Sequence, residues 1–328
     1  MGPVSMFLAF VMSLILSLLL ISRYSPLKVL DTPNERSLHE TPTPRTGGVA
    51  IILAVFIGWG FESFLYGVPE TMGWIAASAL LVAGISFVDD LRELSALIRI
   101  VVHAVAAVVL IAGGLIMFEG WMGVLLTWFA IVWMLNLYNF MDGMDGFAGG
   151  MTLFGFSFLA FAGWLQGENE YAMFTSMVAA AALGFLCVNF PPAKIFMGDV
   201  GSATLGLIAS GFSLWGINDG IFAWWFPVLV FSPFVVDATV TLIRRGLNRE
   251  RIWEAHRSHY YQRLVQMGWG HKKTVLAEYL VMVLAGASAL IALTLNEPLL
   301  VTIILAVWTL VYLLLAIWVH RYEPKEAV

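Results

Sequence analysis

Long apolar stretches separated by short polar segments make up almost the whole chain. Each stretch is roughly 17 to 22 residues long, which is about the length that an α-helix needs to cross the hydrocarbon core of a bilayer. The stretches lie at 3–22, 46–66, 72–88, 100–117, 122–138, 147–165, 171–189, 201–217, 221–242, 274–294 and 298–319. The pattern therefore predicts an all-α integral membrane protein, a bundle of about eleven transmembrane helices in a single domain covering residues 1–328.

Composition supports this prediction. Hydrophobic residues make up 60% of the 328 residues, charged residues make up 12%, and the mean hydropathy is +0.86. No single water-soluble core could absorb this much apolar surface. We expect the lipid bilayer to be a partner and no nucleic acid to bind.

The 17 Lys and Arg residues fall in alternate loops only. Because basic loops stay in the cytosol, this bias places the N-terminus outside and the C-terminus in the cytosol. A long basic loop at 243–273 and the polar segment at 136–146 then face the cytosol. The first apolar stretch has no basic segment before it and no obvious cleavage site, so we expect a retained helix.

The segment at 136–146 interrupts an otherwise apolar region. On a continued helix, Asn136, Asn139 and Asp142 share one face, because residues three apart are neighbours there. Asp145 adds a second carboxylate, and the adjacent glycines allow the backbone to approach a ligand closely. The segment contains no Lys or Arg, which favours a binding site over a hydrophilic turn that merely joins two helices.

Two further acidic segments are predicted at the same membrane surface. Asp89 and Asp90 end the third apolar stretch, and their mutual repulsion calls for a divalent cation or, alternatively, for Arg92 beside them. Asp199 follows the seventh stretch among glycines, with Lys194 nearby as a point charge for phosphate. The alternative for this loop is a reverse turn with a helix cap.

The long basic loop contains His256, His259 and Arg263, which would lie on one face if this segment were helical. That face suits a pyrophosphate better than a bare cation, because the arginines of the loop would repel a cation. The alternative is a basic amphipathic segment that lies on anionic lipid.

The loop after the first apolar stretch carries Arg36, His39 and Arg45. These side chains could meet anionic substrate groups, or they could serve only as a basic retention loop. Gly47 and Gly48 open the next predicted helix, whose N-terminus would favour an anion.

Carboxylates and amides for a hard cation, together with Lys, Arg and His for phosphates, converge on the predicted cytosolic surface. This combination indicates Mg²⁺-assisted phosphoryl transfer between a soluble diphosphate and a lipid. A multispanning transporter is an alternative, although its charged groups should lie near the bilayer midplane. The single cysteine, Cys187, excludes an intramolecular disulfide, and we expect it to be buried.

Four segments together form a specific pattern, namely Asp89-Asp90, Asn136-x-x-Asn139-x-x-Asp142-Gly-x-Asp145-Gly, Phe196-Met-Gly-Asp199-x-Gly-Ser and the loop with His256 and His259. The pattern resembles the polyprenyl-phosphate N-acetylhexosamine-1-phosphate transferase family, glycosyltransferase family 4. The resemblance runs through nearly the whole chain and includes Asp31-x-Pro-Asn34-x-Arg36-x-x-His39 and Gly47-Gly48.

The resemblance implies transfer of an N-acetylated amino-sugar 1-phosphate from a UDP-sugar to undecaprenyl phosphate, with release of UMP. It also implies a cofactor, Mg²⁺, for which Mn²⁺ could substitute. The implied location is a bacterial inner membrane, with the N-terminus in the periplasm and the active site facing the cytosol. A homodimer is left open.

Residue chemistry and resemblance together give a predicted site. Catalytic roles are predicted for Asp89, Asp90, Asn139 and Asp142, and metal ligation for Asp199 and Asp90. Substrate binding is predicted for Arg45, Asn136, Gly143, Met144, Asp145, Lys194, Phe196, His256, Arg257 and His259. In this scheme the Asp142 to Asp145 segment and Phe196 hold uridine, and Asp89 and Asp90 face the lipid phosphate.

One departure from the family bears on the sugar. Members that make the first peptidoglycan lipid intermediate carry a Pro-x-His-His-His run, whereas this chain has Ala255-His-Arg-Ser-His259. This difference favours the branches that initiate O-antigen or related surface polysaccharides with GlcNAc or with a 6-deoxy relative such as FucNAc or QuiNAc. Phospho-MurNAc-pentapeptide transfer is the alternative within the family.

Overall fold

The computed structural model describes residues 2–25, 27, 29–33, 38, 41–92, 94–251 and 256–322. Arg36 and His39 lie outside these described residues. The helices are α1 Gly2–Ile21, α2 Gly47–Tyr66, α3 Glu70–Arg92, α4 Ala96–Ala112, α5 Gly120–Phe140, α6 Phe147–Leu165, α7 Asn169–Asn189, α8 Gly198–Asn218, α9 Trp225–Val230, α10 Ser232–Leu247, α11 Tyr260–Leu264, α12 Gly270–Leu295 and α13 Pro298–Tyr322. A π-helical turn, Val265–Trp269, joins α11 to α12, and two short strands, β1 Leu30–Asp31 and β2 Thr43–Pro44, pair antiparallel.

The helical membrane character predicted from the apolar pattern is confirmed. Within the described residues, nine helical stretches are long and apolar enough to cross a bilayer. Two predicted spans differ from the prediction: α4 has 17 residues, and the span predicted at 221–242 is divided into α9 and α10. The division falls at Phe231, because Pro233 in the first turn of α10 cannot donate a backbone hydrogen bond to α9.

Helix α8 is the central helix of the bundle, and most of its side chains are buried. It packs against α2, α3 and α5. Small residues permit this close packing, as they do in other membrane bundles. Gly201 of α8 lies directly against Gly48 of α2, so that a Cβ on either glycine would meet the backbone of the other. The first turns of α2 and α8 are thereby held side by side.

The first helix is an integral part of this bundle. It packs against α2 and α7, and its buried Ser5 donates a hydrogen bond to the buried carboxylate of Glu62 in α2. Gly184 of α7 lies against the backbone of Phe10. The expectation for Cys187 was wrong, because its side chain is exposed on the outer surface of α7, where it faces away from the helices that pack against α7.

Candidate active site

A cavity of about 360 Å³ opens at the end of the bundle where α3 and α5 end and where α2, α8 and α12 begin. Its lining contains most of the predicted site residues. They are Arg45, Asp90, Asn139, Asp142, Gly143, Met144, Asp145, Phe196 and Asp199. The lining is completed by Asp31, Leu38, Asn189, Met197, Gly198, Gln262 and His271.

Backbone hydrogen bonds between residues 44–48 and 196–197 form the frame of the cavity. Phe196 N donates to Pro44 O at 2.7 Å, and Gly47 N donates to Phe196 O at 2.9 Å. Gly48 N donates to Met197 O at 2.7 Å. These bonds satisfy amides at the start of α2 that have no partner within the helix. They also place the start of α8, and with it Asp199, beside the start of α2.

Gly198 is the residue that allows this approach. Its φ of +72° lies in the left-handed region, and a Cβ here would collide with the carbonyl oxygen of Arg45. The neighbouring Asp199 then points into the cavity, where Asp90 and Asp142 also lie.

These three carboxylates repel one another. Burial raises the pKa of Asp142 well above its ordinary value, and the negative charges of Asp199 and Asp90 raise it further. A hydrogen bond with the backbone of Gly198 offsets only part of this effect. The site therefore has an excess of negative charge that a cation would relieve.

Basic side chains flank this acidic group. Arg45 Nε lies 3.7 Å from Asp90 Oδ1, and Arg45 Nη2 donates to the backbone oxygen of Asp90 at 3.0 Å. Arg99 Nη1 lies 3.1 Å from Asp89 Oδ2 and 3.0 Å from Asp199 Oδ2, so one guanidinium bridges α3 and α8. Arg99 thus links Asp199, the predicted metal ligand, to Asp89, which is predicted to face the lipid phosphate.

Asp89 faces a second, adjoining cavity of about 220 Å³. The two cavities share Arg45, Asp90 and Asp199. Asp89 also accepts a hydrogen bond from Leu94 N at 2.6 Å, which holds the turn between α3 and α4. The arrangement separates a larger compartment from a smaller one, with the carboxylates of Asp90 and Asp199 between them.

Asp145 is held by two separate parts of the chain. Its Oδ1 lies 3.0 Å from His271 Nδ1 of α12, and its Oδ2 accepts from Ala193 N at 3.0 Å. His271 Nε2 lies 3.2 Å from Leu38 O. The adjacent Gly146 N donates to Asn189 Oδ1 at 2.9 Å, so the segment that follows α5 is anchored on both α7 and α12.

Sequence reasoning missed Arg99, Asn189, Gln262 and His271 as site residues. Arg99 was counted only as a basic residue of a cytosolic loop, yet its spacing of ten residues after Asp89 brings it back to the same carboxylate. Asn189 likewise lies only ten residues before Asp199, at the end of α7. For His271 the chain offers no local signal, since it lies at the start of α12, far from the acidic motifs in sequence.

Five predicted substrate-binding residues lie outside the lining of both cavities. Asn136 donates to Val132 O of its own helix at 2.7 Å, so it does not join Asn139 and Asp142 in the lining of the larger cavity. Lys194 is exposed in the loop that precedes α8.

The other three lie in the basic loop. The expected helical face of His256 and His259 is absent because α11 begins only at Tyr260. His259 is 2% exposed and faces Asp237, while Arg257 is exposed.

The donor atoms fit a hard divalent cation. Within the described residues no three Asp, Glu, His or Cys side chains already converge as a complete protein-only metal site. Mg²⁺ needs only one or two protein carboxylates when substrate phosphates and water complete its octahedron. Asp199 and Asp90, which line both cavities, meet this requirement.

Comparison with known proteins agrees with this geometry. The sequence profile described as Glycosyl transferase family 4 matches residues 72–217, a range that includes Asp89, Asp142 and Asp199. A Bacillus subtilis (strain 168) protein named probable undecaprenyl-phosphate N-acetylglucosaminyl 1-phosphate transferase is 34% identical over 302 residues, which cover 86% of this chain and 84% of the relative.

Two other relatives are more distant. The decaprenyl-phosphate N-acetylglucosaminephosphotransferase of Mycobacterium tuberculosis (strain ATCC 25618 / H37Rv) is 32% identical over 291 residues, covering 76% of this chain and 72% of the relative. The undecaprenyl-phosphate alpha-N-acetylglucosaminyl 1-phosphate transferase of Escherichia coli (strain K12) is 28% identical over 195 residues, covering 54% and 52%. All three names specify a polyprenyl phosphate and N-acetylglucosamine.

Proposed function

The chain belongs to glycosyl transferase family 4, the family of polyprenyl-phosphate hexosamine-1-phosphate transferases, and from this premise we propose its reaction. It transfers an N-acetylated amino-sugar 1-phosphate, GlcNAc or a 6-deoxy relative, from a UDP-sugar to undecaprenyl phosphate and releases UMP. The reaction initiates an O-antigen or a related surface polysaccharide of the cell envelope. The relatives named for polyprenyl phosphate and N-acetylglucosamine support this choice of substrates.

The observation that carries the proposal is the pair of adjoining cavities, with Asp90 and Asp199 between them. The larger cavity contains the Asp142 to Asp145 segment and Phe196, whose half-buried ring could stack on a uracil. The smaller cavity contains Arg45 and Arg99, which would hold a phosphate monoester once a cation offsets the charge of Asp90 and Asp199. A donor diphosphate and an acceptor phosphate would then meet at the shared carboxylates.

Asp199 and Asp90 would hold Mg²⁺ in this scheme. When bound, the metal neutralises charge on the diphosphate and on the departing nucleotide phosphate. Arg45 would add a fixed positive charge beside the diphosphate, and it already lies within 3.7 Å of Asp90.

An oxygen of the lipid phosphate attacks the phosphorus that bears the sugar. The bond from that phosphorus to the bridging oxygen breaks, and UMP leaves with this oxygen. Because a phosphate monoester has a second pKa of about 6, the nucleophile is already mostly dianionic at neutral pH. We therefore assign Asp89 to positioning Arg99, which it contacts at 3.1 Å, with proton removal secondary.

The site would face the cytosol of a bacterial inner membrane. Basic residues gather at the helix ends around the cavities, whereas the loops at the other end carry acidic residues such as Glu168 and Asp219. The positive-inside bias supports this orientation, which also gives access to nucleotide sugars.

The test uses purified protein in detergent with UDP-GlcNAc, undecaprenyl phosphate and Mg²⁺. We expect UMP release only when both substrates are present, and none from UDP-MurNAc-pentapeptide. Asp199→Asn should fold normally and lose on the order of a hundredfold or more in turnover, because a neutral amide is a poor ligand for a hard cation. Glu170→Gln, a change at the opposite end of the bundle, is the matched control and should retain full activity.

Two results would contradict the proposal. Absence of UMP from every UDP-N-acetylhexosamine tested would overturn the reaction. Wild-type turnover by Asp199→Asn would keep the reaction but assign the metal to other residues.

A further inference from the structure

Asp237 lies in the interior of α10 and does not line either cavity of the candidate active site. Its buried carboxylate nevertheless collects four hydrogen-bond partners. Oδ1 accepts from Tyr260 N at 2.9 Å and from Thr241 Oγ1 at 3.1 Å, and Oδ2 accepts from Tyr261 N at 3.0 Å. His259 Nδ1 lies 3.2 Å from Oδ1. A carboxylate inside a membrane bundle is expensive unless it is satisfied in this way.

The partners of Asp237 all belong to the turn that starts α11, except Thr241. The carboxylate therefore caps this helix from a different helix, and it satisfies two amides that have no partner within α11. Gln262 completes the turn, since its Oε1 accepts from His259 N at 3.2 Å. The start of α11 is thus fastened to α10.

This turn delivers two side chains to the candidate active site. Tyr261 is fully buried, and its hydroxyl donates to Phe140 O, the last residue of α5, at 3.1 Å. That hydroxyl lies so close to Gly143 that a Cβ on Gly143 would collide with it. Gln262 lines the larger cavity itself.

His259 reaches this network through one ring nitrogen. Because a carboxylate can only accept, Nδ1 must carry the proton that it shares with Asp237. The ring is 2% exposed, is stacked on Phe140 and Tyr261, and lies outside the lining of the cavity. Among the described residues, His259 is therefore not one of those that could contact a substrate in either cavity.

We propose that Asp237 and His259 form a buried latch that positions Tyr261 and Gln262 at the donor cavity. Asp237 and His259 are then positioning residues, and His259 acts through Asp237 and not on the nucleotide sugar. The predicted effects on KM rest on the proposed function. The structural part, which is the fastening of α11 to α10, stands without it.

The first experiment measures amide hydrogen exchange in the peptide that covers 257–264. Asp237→Asn leaves one acceptor oxygen where the four donors use two, so either the Tyr261 amide or the donors to Oδ1, which include the Tyr260 amide, lose their partner. We expect this peptide to exchange faster in Asp237→Asn and unchanged in Glu278→Gln. Glu278 is the matched control because it is a carboxyl lining the same membrane cavity as Asp237, without a described bond to α11.

The second experiment compares two substitutions of His259. Asn places its side-chain N–H₂ near the position of Nδ1 and can still donate to Asp237, whereas Leu cannot. His259→Leu and Asp237→Asn should raise the KM for UDP-GlcNAc on the order of tenfold, because small misplacements far from the chemistry have effects of this size or larger. His259→Asn should stay near wild type, and the KM for undecaprenyl phosphate should not change in any variant.

UMP binding, measured by calorimetry, supplies a readout that needs no turnover. We expect it to weaken in His259→Leu and Asp237→Asn and to persist in His259→Asn. If His259→Asn were as defective as His259→Leu while 257–264 kept its protection, His259 would contact the substrate and the latch would be wrong. If neither the wild type nor any variant turned over UDP-GlcNAc but exchange and UMP binding behaved as expected, the latch would stand and the proposed reaction would fail.

Discussion

Asp142 shows how burial and neighbouring charges act on a single carboxyl at the end of this bundle. It follows α5 and faces Asp199 and Asp90, and burial together with these charges raises its pKa. In the unfolded chain the same carboxyl has a pKa of about 4. The folded protein without metal therefore binds a proton that the unfolded chain releases at a lower pH.

This difference predicts how stability depends on pH. Because the pKa of Asp142 is higher in the folded state, the metal-free protein should lose stability as the pH rises above about 4. Thermal unfolding measured in EDTA should give a lower Tm at pH 8 than at pH 5. Asp142→Asn should make this dependence less steep without abolishing it, because Asp90 and Asp199 remain in the same cluster of carboxylates. Mg²⁺ should raise the Tm most at the higher pH. A Tm of Asp142→Asn that fell with pH as steeply as wild type would contradict the assignment.

The sequence predicts correctly that the residues of the acidic motifs lie together. Asp90, Asn139, the Asp142 to Asp145 segment, Phe196 and Asp199 do line one cavity. Among the basic residues it predicted Arg45, which lines the same cavity, but it did not predict Arg99, because the sequence pattern of a basic residue near a helix end is the same whether the side chain faces a site or water. Lys194 and Arg257 are exposed, whereas Arg99 bridges two carboxylates.

At the scale of elements, the apolar pattern locates the helices well, because each span must supply its own backbone hydrogen bonds. It fails where a window average hides a local break. The stretch 221–242 is apolar on average, although it contains Asp237, yet Pro233 divides it into α9 and α10. The prediction of a helical face in the basic loop fails for another reason. The start of α11 is set by Asp237, a residue of a different helix.

The contact between α2 and α8 gives a prediction at this scale. A methyl group at Gly48 would meet the backbone of Gly201, and it would also lie 2.8 Å from Met197 O. Gly48→Ala should therefore separate the two helix starts and cost about 1–3 kcal/mol of stability, the usual range for overpacking. We expect a lower Tm and weaker UMP binding.

Gly60 provides the control for this prediction. It lies in the same helix with nothing within 4 Å of an added Cβ. Gly60→Ala should leave the Tm within experimental error of wild type or raise it slightly. Equal losses in the two variants would show that helix α2, and not its contact with α8, is sensitive to substitution.

At the scale of the whole molecule, function depends on which side of the membrane the cavities face. Single cysteines at Glu168 and Asp219 should react with an impermeant thiol reagent applied outside intact cells, and one at Lys272 should react only after lysis. All three positions are exposed. The background must carry Cys187→Ser, because the native cysteine is exposed. The reverse labelling pattern would invert the orientation and place the site outside the cytosol.

The hydrogen bonds between residues 44–48 and 196–197 join the first half of the chain to the second. During synthesis the N-terminal helices leave the ribosome first, so α2 enters the membrane long before Phe196 exists. Until the segment before α8 is translated, the amides of Gly47 and Gly48 lack their final hydrogen-bond acceptors and can bond only to water at the membrane surface. A nascent chain that ends before Phe196 contains helices α1 to α7 but lacks the residues that complete the frame of the cavity, so the cavity can form only after the second half of the chain has been made.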